Sequence, residues 1–91
     1  MPIIIEFEKF VEYQLNKRIS DRNKKRLLRG TFRDKGSKKL HTKDIFMAYE
    51  LQMCSAFEVY KCYVAWYNHT NYDKTEPGRI PVSAEWIKEV N

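Results

Sequence analysis

The chain has 91 residues, of which 43% are hydrophobic and 14% aromatic, and it carries a formal net charge of +5. This length can fill one hydrophobic core, so we expect residues 1–91 to form a single domain, and the hydrophobic share argues against intrinsic disorder. No stretch approaches the roughly 20 apolar residues that a membrane span needs, and residues 1–6 lack the pattern of a signal peptide.

The first predicted element is an amphipathic helix that starts near residue 3. Phe7, Val11 and Leu15 recur at four-residue steps, with Ile19 four residues further on, and charged residues occupy the other side. Acidic residues near its start and basic residues near its end match the helix dipole. The periodicity therefore predicts one buried and one solvated face.

A basic helix and loop are predicted over residues 17–39. Ser20 and Asp21 resemble a cap, which predicts a second helix over 21–29 that ends near Gly30. Residues 30–41 contain two glycines and are predicted to form a loop. One bent helix from residue 3 to about residue 29 is the alternative.

The charge of residues 17–39 is the main functional signal in the chain. The segment holds eleven Lys and Arg against Asp21 and Asp34, a net charge of +9, while the rest of the chain has a net charge of −4. On a helix, the arginines from Arg22 to Arg33 would form one exposed stripe that includes Arg26 and Arg29, and arginine suits phosphate. The predicted nucleic-acid-binding residues are Arg22, Lys24, Lys25, Arg26, Arg29, Arg33, Lys35, Lys38 and Lys39.

RNA is slightly favoured over DNA as the nucleic acid. A helix-turn-helix unit could begin at Ser20, but the basic segment offers few side chains that read bases, Asn23 being the exception. Binding directed at shape or backbone fits better, with Phe32, His41 or exposed tyrosines available for stacking on unpaired bases.

A long apolar helix is predicted over residues 43–69, with Thr42 as its cap. Tyrosines and other apolar residues from Tyr49 to Tyr67 follow coiled-coil spacing, and a second apolar strip widens this face. The first two helices supply few large side chains to cover it, so a homodimer through the 43–69 helix is expected. A short helix over 83–90 completes the predicted fold: a small all-α, four-helix domain.

No pattern in the sequence predicts catalysis, a metal site or a cofactor. His41 and His69 lack an accompanying nucleophile or carboxylate pair, so the protein is not expected to be an enzyme. Cys54 and Cys62 lack the spacing of a zinc site, and on one helix they would be too far apart for a disulfide. Reduced thiols are expected, and with them a cytoplasmic location (the host cytoplasm for a viral protein).

The composition, rich in Lys, Ile, Asn and Tyr, resembles in general type the small accessory proteins of phages and mobile elements. Such proteins bind nucleic acid, block a host enzyme, or do both. We therefore expect a basic nucleic-acid-binding regulator that acts by occupancy. The alternative is an inhibitor or adaptor whose basic face docks on an acidic host protein, with or without bridging nucleic acid.

Overall fold

The computed structural model describes residues 6–21, 23–70 and 77–87. Within them, two α-helices and three strands follow one another as α1 (Phe7–Leu15), β1 (Lys25–Asp34), β2 (Leu40–Ala48), α2 (Ala56–Thr70) and β3 (Arg79–Trp86). A short 3₁₀ helix, Tyr49–Met53, joins β2 to α2. The described chain is a small α+β fold, so the all-α prediction is wrong.

β1 is the central strand of an antiparallel sheet with the order β2–β1–β3. At its middle, Leu28 pairs with Ile45 of β2 on one side and with Trp86 of β3 on the other. β1 and β2 form a hairpin, and the chain then passes through α2 before it reaches the opposite edge of the sheet as β3. Neighbouring strands β1 and β3 are therefore far apart in sequence.

One face of the sheet packs against the helices and forms the core. Side chains alternate between the two faces along a strand, and in β1 Leu28, Gly30 and Phe32 are buried whereas Arg29 is exposed. The helices contribute Val11, Val59, Tyr60 and Val64 to the same cluster. The other face of β1, which carries Arg29, is the more open one.

The predicted helix over 21–29 is wrong where it is described, and the predicted loop over 30–41 is correct only for residues 35–39. Residues 25–34 form a strand, and their burial accordingly has a period of two from Leu28 to Phe32, which differs from the helical period. Gly30 is a poor helix former, while Thr31 and Phe32 favour strands. The pairing of β1 on both edges then satisfies its backbone hydrogen-bonding groups.

The helix predicted over 43–69 is correct for its second half and wrong for its first half. Its first part belongs to β2, its middle forms the 3₁₀ helix, and only Ala56–Thr70 is α-helical. The expected coiled-coil face is consequently divided: Met53 is 76% exposed, whereas Tyr60 is 1% exposed within the chain's own core. The homodimer stays a prediction, but one continuous helix no longer supports it.

The two ends of the described chain differ in how well they were predicted. The first helix is present as α1, with Val11 fully buried, and it ends at Asn16, whose positive φ of 51° is typical of a helix C-terminus. At the other end, the helix predicted over 83–90 is wrong where it is described, because β3 extends to Trp86. Residues 88–90 lie outside the described residues.

No second helix begins at Ser20. The backbone N–H groups of Ser20 and Asp21 donate to the Glu50 carboxylate at 2.9 and 2.7 Å, and the Ser20 hydroxyl donates to it at 2.8 Å. These hydrogen bonds lower the pKa of Glu50. The segment between α1 and β1 is thus held by a side chain of the 3₁₀ helix.

Candidate nucleic-acid interface

The predicted arginine stripe is not formed, because strand geometry divides its members. Arg29 is exposed, whereas Arg26, expected to be exposed, is half-buried. The Arg26 Nε donates to the Ile87 carbonyl at 2.9 Å and its Nη1 donates to Gln52 Oε1 at 2.8 Å. Arg26 therefore links β1 to the 3₁₀ helix and to the end of the sheet. Arg22 lies outside the described residues.

Two other cations of the basic segment have carboxylate partners. Arg29 binds Asp44 on β2 through two hydrogen bonds, at 2.8 and 3.1 Å, which lower the pKa of Asp44 and raise that of Arg29. The Lys25 Nζ lies 3.0 Å from a carboxylate oxygen of Glu8 on α1. Lys24, in turn, lies over the ring of Tyr49, 5.4 Å from its centroid. These contacts reduce the charge that the middle of β1 offers to a polyanion.

The hairpin tip, residues 35–39, connects β1 to β2 and contains three lysines. Lys35, Lys38 and Lys39 are all exposed. Within the described part of the chain, no acidic side chain forms an ion pair with any of them. The tip thus presents three lysines in a run of five residues.

The hairpin tip has a defined backbone. The Ser37 N–H donates to the Asp34 carbonyl at 2.9 Å, and Gly36 takes a φ of +86°, which glycine adopts at little steric cost. The Ser37 hydroxyl accepts a hydrogen bond from the Lys39 N–H, and the Ser37 carbonyl accepts one from Arg33 Nη1 at 3.3 Å. These bonds order the backbone of the turn, and the three lysine side chains remain exposed to solvent.

A cavity of about 260 Å³ lies beside the base of the tip. We call it the root cavity, and it is lined by Phe32, Asp34, His41, Lys43, Pro77 and Arg79. The His41 ring stacks on Phe32, with centroids 5.3 Å apart, and His41 Nε2 lies 3.7 Å from an Asp34 carboxylate oxygen. The Lys35 N–H donates to the Gly78 carbonyl at 2.7 Å, which ties the tip to the start of β3.

Arg79 is the most tightly positioned cation of the root cavity. Its guanidinium carbon lies 4.2 Å from the ring centroid of Phe32 and 3.9 Å from that of Tyr67. Asn68 on α2 fixes its backbone, since the amide accepts from the Arg79 N–H and donates to the Arg79 carbonyl, both at 2.9 Å. The guanidinium therefore lies within cation–π distance of two aromatic rings.

Sequence analysis missed Arg79 and Lys43 as candidate site residues because both lie outside the basic segment. Because a helix was predicted over 43–69, the alternation of side chains between the two faces of β2 was not considered. His41 and Lys43 are two residues apart on this strand and so lie on one face of the sheet. A strand prediction for residues 40–48 would have placed Lys43 beside His41. Arg79 offered no comparable signal, because its position depends on the pairing of β3 with β1.

Three further properties of the described residues concern metal binding, thiol chemistry and membrane crossing. In the described ranges, no three His, Cys, Asp or Glu side chains are grouped so that they could hold a metal ion. Cys54 and Cys62 are free thiols, and burial raises the pKa of Cys62. Neither α1 nor α2 combines the length and apolar content required to cross a bilayer.

No protein-family model, curated protein or solved structure matches this chain. The function is therefore inferred from the geometry and charge of the hairpin tip and the root cavity.

Proposed function

We propose that this protein is a small nucleic-acid-binding regulator that acts by occupancy and contacts the phosphate backbone through the hairpin tip. The observation that carries the proposal is the exposure of Lys35, Lys38 and Lys39 with no carboxylate partner among the described residues. Each phosphate that a lysine neutralises releases condensed counterions, so three adjacent free lysines favour a polyanion.

The proposed contact surface is smaller than the nine residues predicted from the sequence. Lys35, Lys38 and Lys39 are its main members, and Arg33 lies at its edge, bonded to the Ser37 carbonyl. Lys24 and Arg29 are also exposed, but Arg29 is paired with Asp44 and Lys24 lies over the Tyr49 ring, so both are secondary to the tip lysines. Arg26 is excluded from it, because its side chain is half-buried and bonds to the Ile87 carbonyl and to Gln52.

RNA is proposed ahead of DNA as the nucleic acid. A two-stranded ribbon can enter the major groove of DNA, but the hairpin tip carries only Ser37 as a short hydrogen-bonding side chain for base edges. Lysines contact phosphates irrespective of base sequence. His41, partly exposed beside the tip, adds a ring that could contact an unpaired base. These features favour backbone-directed binding to single-stranded RNA.

The proposal includes no catalytic step and places the protein in the cytoplasm. The free thiols of Cys54 and Cys62 support this location, since reducing compartments keep cysteines unpaired.

One observation favours the alternative, in which the hairpin tip docks on an acidic protein. Leu40, next to Lys39, is 56% exposed, and an exposed apolar side chain beside lysines suits a protein surface. The two functions differ in their response to nuclease: a protein partner retained after nuclease treatment would favour docking, and its loss would favour nucleic acid.

A direct test compares two double variants that each remove two lysine charges. In K38Q/K39Q the charges are lost from the hairpin tip, whereas in K9Q/K61Q they are lost from α1 and α2. Fluorescence anisotropy with a labelled single-stranded RNA should show weakening of roughly 25-fold at about 0.1 M salt for the tip variant, if both lysines contact phosphates. Equal affinities of the two variants would contradict the proposal, and labelled DNA strands would rank the nucleic acids.

A further inference from the structure

We propose that the root cavity binds one phosphate group, with Arg79 and Lys43 as its two ligands. This inference deepens the proposed function, and it rests on that function only for the source of the phosphate. The hairpin tip offers exposed lysines to several phosphates, whereas the root cavity would hold a single phosphate between two side chains.

The position of Arg79 supports an anion ligand. The Arg79 guanidinium carbon lies 4.2 Å from the Phe32 centroid and 3.9 Å from the Tyr67 centroid, and the guanidinium N–H groups are hydrogen-bond donors without any acceptor function. Among the described residues, no carboxylate or carbonyl accepts a hydrogen bond from these groups. A partly buried cation without an acceptor favours binding of an external anion, because the anion restores the hydrogen bonds that water otherwise supplies.

Lys43 gives the root cavity a second cation of a different kind. It lies on β2 opposite Gly30, is exposed, and has no ion-pair partner in the described part of the chain. Its flexible side chain can adjust to an anion that the rigid Arg79 positions. A phosphate can accept from both side chains at once, as a bidentate partner of the arginine fork and as a charge partner of the lysine.

Charge and volume are both consistent with a phosphate. The cavity lining carries Lys43 and Arg79 against Asp34, so its net charge is +1 when His41 is neutral. Asp34 lies 3.7 Å from His41 Nε2, so protonation of His41 would pair it with this carboxylate and would raise the net charge of the lining to +2. The volume of about 260 Å³ is below the roughly 300–1,000 Å³ of pockets that enclose a whole small molecule. It suits one charged group with its waters.

The source of the phosphate is either the backbone of a bound nucleic acid or a free nucleotide. Both present the same group to Arg79 and Lys43, and competition separates them. If the phosphate belongs to bound RNA, saturating RNA should displace inorganic phosphate from the root cavity. If the cavity serves free nucleotides, RNA and phosphate should bind together.

The test is a titration of the full chain with inorganic phosphate, observed by two-dimensional NMR through the Arg79 Nε–H group and the His41 and Lys43 amides. Saturable shifts at these positions are expected. The variant K43Q should weaken phosphate binding by about fivefold, the effect of one moderately exposed charge. The control K61Q, which removes a lysine charge from α2, should leave it unchanged.

The outcomes separate this inference from the proposed function. One outcome is that K38Q/K39Q loses RNA binding while the native protein shows no saturable phosphate shifts at Arg79. This result would overturn the root-cavity site but would support RNA binding by the hairpin tip. Phosphate shifts that K43Q weakens, in a protein that fails to bind RNA, would support the site and overturn the proposed function. Shifts that K43Q and K61Q change equally would overturn the site, because they would report general charge alone.

Discussion

The ring of Tyr60 on α2 lies directly against the backbone of Gly30 at the centre of β1. A Cβ atom built on Gly30 would approach Tyr60 Cδ1 to 2.6 Å and would overlap its Cε1 and Cζ atoms. Tyr60 is 1% exposed and is among the largest fully buried side chains of the described chain. The missing side chain of the glycine is thus what allows the helix to pack closely on the central strand.

Replacing Gly30 with alanine should destabilise the fold. The added methyl group has no space unless Tyr60 moves, and overpacking of this kind costs about 1–3 kcal/mol of unfolding free energy. Urea unfolding followed by tryptophan fluorescence would measure it. Gly78→Ala is the matched control, because the nearest atoms to its added Cβ are 3.9 Å away. Equal urea midpoints for the two variants would contradict the close packing of Tyr60 on β1.

Because Tyr60 is buried, the free energy of unfolding should also change with pH in the alkaline range. Burial raises the pKa of Tyr60 from 10.0 to about 12. Below pH 10 the phenol is protonated in both the folded and the unfolded chain. Between pH 10 and about 12, Tyr60 loses its proton in the unfolded chain but keeps it in the folded one, so the unfolding free energy falls as pH rises. The variant Y60F should show a shallower fall over this window in urea unfolding. An identical fall in both proteins would mean that Tyr60 is accessible to solvent.

Arg26 should contribute to stability rather than to nucleic-acid binding. The substitution R26Q removes charge-assisted hydrogen bonds to Ile87 and Gln52 in a half-buried setting, which we expect to cost about 1.5–3 kcal/mol of unfolding free energy. The control R29Q removes an exposed cation from the same strand and should have a smaller effect. A larger loss of stability in R29Q than in R26Q, measured by urea unfolding, would contradict this assignment.

Because of Glu50, the free energy of unfolding should change with pH in the acidic range. Its hydrogen bonds from Ser20 and Asp21 lower its pKa below the ordinary 4.5, so the stabilisation is present above that value and is lost as pH falls through the lower pKa of the folded state. The variant E50Q should therefore have a lower urea midpoint than the native protein near neutral pH, and the difference should shrink on acidification. E58Q, at an exposed position on α2, is the control. A difference that grows at low pH would be inconsistent with these bonds.

The sequence predicted the first helix because that information is local. Phe7, Val11 and Leu15 repeat every four residues, and Val11 is buried as this pattern requires. The helix predicted over 21–29 was wrong because the arginines of the basic segment also follow helical steps, at positions Arg22, Arg26, Arg29 and Arg33. No local rule indicates that Leu28 pairs with both Ile45 and Trp86, and this pairing is what makes the segment a strand.

The candidate site was predicted in part. Lys35, Lys38 and Lys39 were among the predicted binding residues, and the structure brings them together at one turn. Arg26 was assigned to the same surface because a helix would have exposed it, whereas the strand turns it toward the 3₁₀ helix. Arg79 was absent from the prediction, since its contact with Phe32 arises only when β3 pairs with β1.

The salt dependence of RNA affinity, measured for the native protein and for K35Q/K38Q/K39Q, addresses the role of the hairpin tip most directly. If the three lysines each contact a phosphate of a single strand, the slope of log affinity against log salt should become shallower by about 2 in the variant. Circular dichroism would establish that both proteins are folded alike. Equal slopes would mean that the tip lysines do not contact the nucleic acid, and the proposed interface would be incorrect.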